Sequence, residues 1–193
     1  MSSTMLAKRR MANTADSIAN TVGCLSIFPT EIGWMGITGN RDVVTSVTVG
    51  HSSAASVKSA VRRWQAETDV TDMLQEFDWH PDLRIALQDY AQGIPVDFAE
   101  FKLQLPQRTP FRDKVLAVTR RLRYGDTTTY GQLARDVGHP GAARAVGTVM
   151  STNRFPIVIP CHRVLAAGGK LGGYTSPAGT DLKQRLLDME QSA

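Results

Sequence analysis

Thr129-Tyr-Gly-Gln-Leu-Ala-Arg-Asp-Val-Gly-His-Pro-Gly-Ala-Ala-Arg-Ala-Val-Gly-Thr-Val-Met150 is the stretch that settles the architecture. Thr129 stands three residues before Gln132, a capping-box spacing that starts a helix running to about Val137. Gly138-His139-Pro140-Gly141 then breaks it, because glycine frees the backbone and proline cannot continue a helical ladder. Ala142 to about Met150 reads as a further helix. Two short helices across a tight glycine-containing turn fit a helix-turn-helix. The second is made of small residues: Ala142, Ala143, Ala145 and Gly147 leave Arg144 as its single long charged group. Such a helix can approach another surface closely, either a packed neighbour or a nucleic-acid groove.

Upstream, Phe111, Val115, Val118 and Leu122 recur four, three and four apart, which predicts one apolar helical stripe stopped by Gly125. Pro106 to Pro110 reads as a connector. Before it the texture differs. Alternation around Val22, Cys24, Ser26 and Phe28, then Ile32 to Thr38 and Val43 to Val49, predicts short strands. Ser53 to Ala66 places Val57, Val61 and Trp64 on one helical face. Pro81 to Gln92 predicts a second helix, carrying Leu83, Ile85, Leu87 and Tyr90. The expected fold is therefore α+β. A mobile tail over residues 1–20 precedes a small strand-rich amino-terminal domain over 21–104. A mostly helical, winged-helix-like domain over 105–193 carries the helix-turn-helix. No identifiable reaction belongs to the first half.

Charge divides along the same line. Residues 1–104 hold 9 Lys/Arg and 12 Asp/Glu, a net of −3, whereas residues 105–193 hold 13 and 6, a net of +7. A basic second half suits a polyanionic partner, although a merely solvated basic surface has the same composition. Hydrophobic content of 42% suffices for a packed core. No run approaches the roughly 18 consecutive apolar residues of a membrane span. Lys8-Arg9-Arg10 is followed by no apolar segment, which argues against a secretory signal. Two cysteines, Cys24 and Cys161, make no disulfide framework and point to a reducing compartment, so a cytoplasmic protein is expected, or a nuclear one in a eukaryote. The four histidines do not fall at metal-ligand spacings with them, so no metal is expected.

Phe155-Pro-Ile-Val-Ile-Pro-Cys-His-Arg-Val164 carries the chemistry. The apolar run Ile157 to Ile159 predicts a buried strand or extended segment halted by Pro160, which fixes the Cys161 thiol at the end of a rigid element. A thiolate is the nucleophile, and His162 beside it can serve as base, directly or through one water. The dipeptide alone fits a buried structural thiol better than a reactive one.

The ordered set Tyr-Gly-Gln-Leu-Ala134, Gly-Ala-Ala-Arg-Ala-Val-Gly147, Ile-Pro-Cys-His-Arg-Val164, Gly-Gly-Tyr174 and a terminal Leu-Leu-Asp-Met-Glu190 resembles the O6-alkylguanine-DNA alkyltransferases. The resemblance covers about residues 109–190; the first half is similar only loosely, through Thr-Glu-Ile-Gly-Trp34. It implies single-turnover transfer of an alkyl group from O6-alkylguanine, and from O4-alkylthymine, in double-stranded DNA to Cys161. By the same resemblance His162 acts through a water to deprotonate Cys161, and Glu190 holds the imidazole. Tyr130 donates toward the departing guanine and crowds the backbone, while Arg144 fills the place of the extruded base. Ala143, Ala145 and Gly147 face the DNA. Asn153 braces the loop to the cysteine, Tyr174 walls the base pocket, and Val164 and Thr175 add backbone contacts. No cofactor is implied, and a monomer is expected.

Two departures stand out. Arg154 follows Asn153 where many relatives have proline, which adds a possible phosphate contact. The segment Thr175-Ser-Pro-Ala-Gly179 is longer than the usual glycine pair. The alkyltransferase-like lesion-binding proteins lack the acceptor cysteine that is present here. A non-enzymatic lesion-binding protein and a cysteine hydrolase are the competing functions.

Overall fold

The computed structural model describes residues 23–67, 74–105 and 109–192. The tail expected over 1–20 and most of the 106–110 connector lie outside these residues. Three antiparallel strands, β1 (Cys24–Phe28), β2 (Trp34–Asn40) and β3 (Val43–His51), form a meander. Its edges carry the two-residue strands β4 (Gln75–Glu76), parallel to β1, and β5 (Lys102–Leu103), parallel to β3. One sheet face packs Leu25 on Val57 and Val61 of helix α1 (Ala54–Glu67). On the other, Phe28, Met35, Ile37 and Val47 join Leu83 and Leu87 of α2 (Pro81–Ala91).

That second face does not end with the first half. The same continuous cluster includes Val115 and Leu116 of α3 (Pro110–Arg120), Leu133 of α4 (Tyr130–Asp136) and Val146 of α5 (Ala143–Ser151), together with Phe155 and Leu186. Backbone hydrogen bonding joins the halves as well, since Val47 N–H donates to the Arg154 carbonyl at 2.8 Å. Among the described residues no helix is long and apolar enough to cross a membrane.

Helices α4 and α5 follow the expected punctuation. Thr129, in extended conformation, caps α4 by accepting from the Gln132 amide at 3.1 Å. The reciprocal half of the capping box is missing, because the Gln132 side chain turns outward to Asp136 and Arg135. Helix α3 also differs from its reading. It ends at Arg120, before Gly125, and buries Arg112, Val115, Leu116 and Thr119, while Phe111 and Val118 stay half-exposed. Phe111, Val118 and Leu122 still pack against the core from its margin, and the buried Arg112 guanidinium donates to Thr152 Oγ1 at 2.8 Å and to the Thr152 carbonyl at 3.0 Å.

The largest correction concerns residues 157–159, which are buried but form turns rather than a strand. Pro156 and Pro160 cannot donate to a ladder on either side. The segment instead closes on itself, with Ile159 N–H donating to the Phe155 carbonyl and Cys161 N–H to the Ile159 carbonyl, both at 2.7 Å. Ile157 takes a φ of 72°, a left-handed conformation costing a β-branched residue about 1–3 kcal/mol. Burial of its side chain in the common core offsets that cost.

Candidate active site

Cys161 opens a short 3-10 turn, Cys161–Arg163, and is 6% exposed. The turn is held from both sides. Asn153 donates through Nδ2 to the Ile159 carbonyl at 2.9 Å and accepts from Phe155 N–H at 3.1 Å, which ties the loop after α5 to the residues before the thiol. Beyond the turn, β7 (Val164–Leu165) pairs in parallel with β6 (Thr128–Thr129). That ladder brings the start of α4, and with it Tyr130, to the cysteine. Burial pushes the Cys161 thiol up; the Asn153 side chain, the Lys183 charge and the amides of Cys161 and His162 oppose it. The net shift is upward, so the resting thiol keeps its proton and needs a base to become a nucleophile.

His162 is fully buried, and its Nε2 lies 2.8 Å from Glu190 Oε1 in the final helix α6 (Gly179–Gln191). Burial is the main force lowering the imidazole, and Glu190 counteracts it only in part. Burial likewise raises the Glu190 carboxyl, but hydrogen bonds from His162, Arg163 and Tyr90 outweigh it and hold the group well below the usual carboxylate range. An ionised carboxylate only accepts, so His162 Nε2 carries the proton and Nδ1 presents a lone pair. Nδ1 makes no hydrogen bond to the described residues, and no direct hydrogen bond joins the Cys161 and His162 side chains.

Glu190 is held by a fixed set of donors. Arg163 grips it as a fork, Nε to Oε2 at 2.9 Å and Nη2 to Oε1 at 2.8 Å, and sends Nη1 to the Leu122 carbonyl at 2.6 Å. Gly125 N–H adds a bond to Oε2 at 3.1 Å, which its φ of 79° permits. Tyr90 Oη, from α2, donates to Oε1 at 2.5 Å and lies 3.1 Å from His162 Nε2.

A cavity of about 450 Å³ opens over Cys161, between Tyr130, Gly147 and Ser151 on one side and Gly173, Tyr174 and Thr175 on the other. Burial, then the neighbouring Cys161, pushes the Tyr130 phenol up, so it remains a protonated donor. The Tyr130 ring lies against Gly172, where φ is 66° and a Cβ would meet the phenol oxygen at 2.9 Å. Lys183 is fully buried below this wall and caps the carbonyls of Val164, Leu171 and Gly173. Thr175 Oγ1 donates to the Ser151 carbonyl at 2.8 Å, pinning the longer segment 175–179 to the end of α5. The expected pocket residues therefore separate into two groups. Tyr174 and Thr175 line the cavity, whereas Val164 is sealed in the β6–β7 ladder and Asn153 lies in the loop wall.

Helix α5 buries Val146, Val149 and Met150 and leaves Arg144 and Ala145 exposed, with Ala143 and Gly147 half-buried. The Arg144 guanidinium makes no hydrogen bond or ion pair with the described residues. The Arg154 guanidinium lies 4.6 Å above the Trp64 ring, a contact within the chain.

Residues 110–192 match the family described as 6-O-methylguanine DNA methyltransferase, DNA binding domain. A methylated-DNA--protein-cysteine methyltransferase from Methanosarcina acetivorans is 45% identical over 107 residues, 55% of this chain and 65% of that protein. One from Methanosarcina mazei is 37% identical over 121 residues, 63% of this chain and 74% of that protein. The chain belongs to the O6-methylguanine DNA methyltransferase family. The Mycobacterium tuberculosis family structure in complex with DNA superimposes with a TM-score of 0.69 at 29% identity, covering 87% of this chain and 92% of that one. The fold likeness thus extends across both halves of this methyltransferase-family chain. The curated sequence match is shorter: the chain spans just under two thirds of the Methanosarcina acetivorans relative.

Three side chains of the methyltransferase-family site escaped the sequence reading. Tyr90 read as a core aromatic on an amphipathic helix, and nothing local connects it to residues 72 and 100 positions away. Lys183 is an interior lysine in an otherwise ordinary terminal helix. Arg163 could have been suspected, since it follows the Cys-His pair directly and a buried Glu190 needs a positive partner.

Proposed function

We propose that this protein repairs DNA by moving an alkyl group from O6-alkylguanine irreversibly onto Cys161, with residues 105–193 holding both the DNA-binding surface and the acceptor. The observation that carries the reading is the buried Cys161 thiol at the floor of a cavity flanked by two tyrosines and the small-residue helix, with the neutral His162 held by Glu190 behind it. In this scheme His162 Nδ1 takes the thiol proton through a water. The sulfur then attacks the alkyl carbon, the S–C bond forms as the C–O bond breaks, and the guanine keeps the electron pair. A proton delivered at the Tyr130 side lets guanine leave neutral, which balances the one removed from the thiol. The thioether is a poor leaving group, so each molecule acts once and needs no cofactor. The intact mass of the protein after incubation with duplex DNA containing O6-methylguanine tests this. One added methyl, on the peptide containing Cys161, is expected; an unchanged mass with turnover of the DNA overturns it.

The cavity admits a base only after that base leaves the duplex, at a cost of a few kcal/mol. Arg144 has the length and planarity to fill the resulting gap, and small neighbours leave room for a minor-groove approach. Arg144→Ala is therefore expected to impair reaction with duplex DNA while leaving reaction with free O6-benzylguanine nearly intact. A simple phosphate contact would instead weaken binding to all DNA alike and reduce the salt slope by about one. Equal loss on duplex and free base rules out the gap-filling role.

A further inference from the structure

Tyr90 lies near the end of α2 and is fully buried. Its ring packs edge-on against Phe98, Tyr124 and the His162 imidazole, so it has little freedom to swing. The hydroxyl is thereby delivered between the imidazole and the carboxylate, 3.1 Å from His162 Nε2 and 2.5 Å from Glu190 Oε1. Burial and the adjacent Glu190 charge push the phenol far above its usual range, so the group stays protonated. With an ionised carboxylate as neighbour, its proton points to Oε1.

Building on the alkyl-transfer reading, we infer that Tyr90 is a positioning residue of the relay: its hydroxyl shares the Glu190 oxygen with His162 and keeps the imidazole neutral, with Nδ1 free to act as base. Oε1 accepts from Tyr90, His162 and Arg163 together. Each donor draws charge from that oxygen and leaves less to stabilise an imidazolium. The other groups around the ring set the balance. From α6, Glu190 favours the charged imidazole and Lys183 disfavours it, as does Arg163 in the adjoining turn. Tyr174 approaches from the loop before α6, its ring centroid 6.5 Å away, and Cys161 precedes His162 directly. Tyr124 meets Arg163 rather than the imidazole, its ring centroid 5.8 Å from the guanidinium carbon. Among these, Tyr90 is the neutral donor from the amino-terminal half that weakens the pull of Glu190. Its absence from residues 110–192 means that the matched DNA-binding portion alone does not complete the relay.

The test is Tyr90→Phe, which keeps the ring and removes the hydroxyl. Single-turnover transfer to duplex DNA containing O6-methylguanine is followed against pH, alongside titration of the His162 ring by 15N NMR. Without the competing donor, Glu190 supports the imidazolium more strongly. The acid limb of the rate profile and the His162 titration are both expected to move upward by about one pH unit, the scale of one hydrogen bond to a charged group. Difluorotyrosine placed at position 90, a stronger donor, is expected to move both downward, a sign that damaged packing cannot produce. Phe98→Leu, a packing control, lowers the melting temperature and leaves the limb in place. Coincident acid limbs and His162 titrations in wild type and both Tyr90 variants would make Tyr90 a packing residue and overturn the inference. The NMR titration needs no substrate, so it reports on Tyr90 even if alkyl transfer proves to be the wrong reaction.

Discussion

Cys161→Ser is expected to abolish alkyl uptake while DNA binding survives. The side chain occupies a nearly sealed place at the start of the 3-10 turn, where serine fits without altering the Asn153 brace or the β6–β7 ladder. The difference is chemical. Even a thiol, with an ordinary pKa near 8.5, is held protonated here by burial and, in the proposed scheme, needs His162 for ionisation. A hydroxyl is a far weaker acid, and a neutral imidazole cannot generate useful alkoxide from it. Intact mass and a gel-shift assay on alkylated duplex measure both halves of the expectation. Repair by the serine variant at a substantial fraction of the wild-type rate contradicts the proposed nucleophile.

Glu190→Gln is expected to damage the protein twice, in rate and in stability. An amide presents an NH2 group to a site built entirely of donors: Tyr90 Oη, His162 Nε2, the Arg163 fork and Gly125 N–H. One oxygen must lose its partners, and the buried Arg163 guanidinium loses its counter-charge. Leaving a buried charge uncompensated typically costs about 3–5 kcal/mol. On the kinetic side, the imidazole loses the acceptor that fixes its tautomer, and general-base assistance is worth roughly a hundred- to ten-thousand-fold. Urea denaturation and single-turnover rates read the two effects separately. Rates within about twofold of wild type for both Glu190→Gln and His162→Ala would remove the relay from the mechanism.

Local signals in the sequence determined much of this protein. The Thr129 cap, the glycine-proline break and the small-residue pattern of 142–147 specify α4, the turn and α5, because capping and helix termination depend on neighbours within one or two turns. The strands around Cys24, Trp34 and Val43 announced themselves by alternation, and Ile-Pro-Cys-His-Arg-Val164 pointed to the cysteine proposed as nucleophile. Local signals misled where tertiary contacts compete with them. The Ile157–Ile159 run has strand composition, yet flanking prolines deny it a ladder and the core takes it as a chain of turns. In α3 the buried set also takes in Arg112, whose guanidinium has a partner in Thr152, forty residues away. Only the folded chain assembled the hydrogen-bond cluster of Tyr90, His162, Arg163 and Glu190, since a hydrogen bond is specified by distance in space and leaves no periodicity in sequence. Tyr90 meets Glu190 across 100 residues because both halves share one hydrophobic core, and packing that core is what sets an otherwise ordinary aromatic against the His162–Glu190 pair.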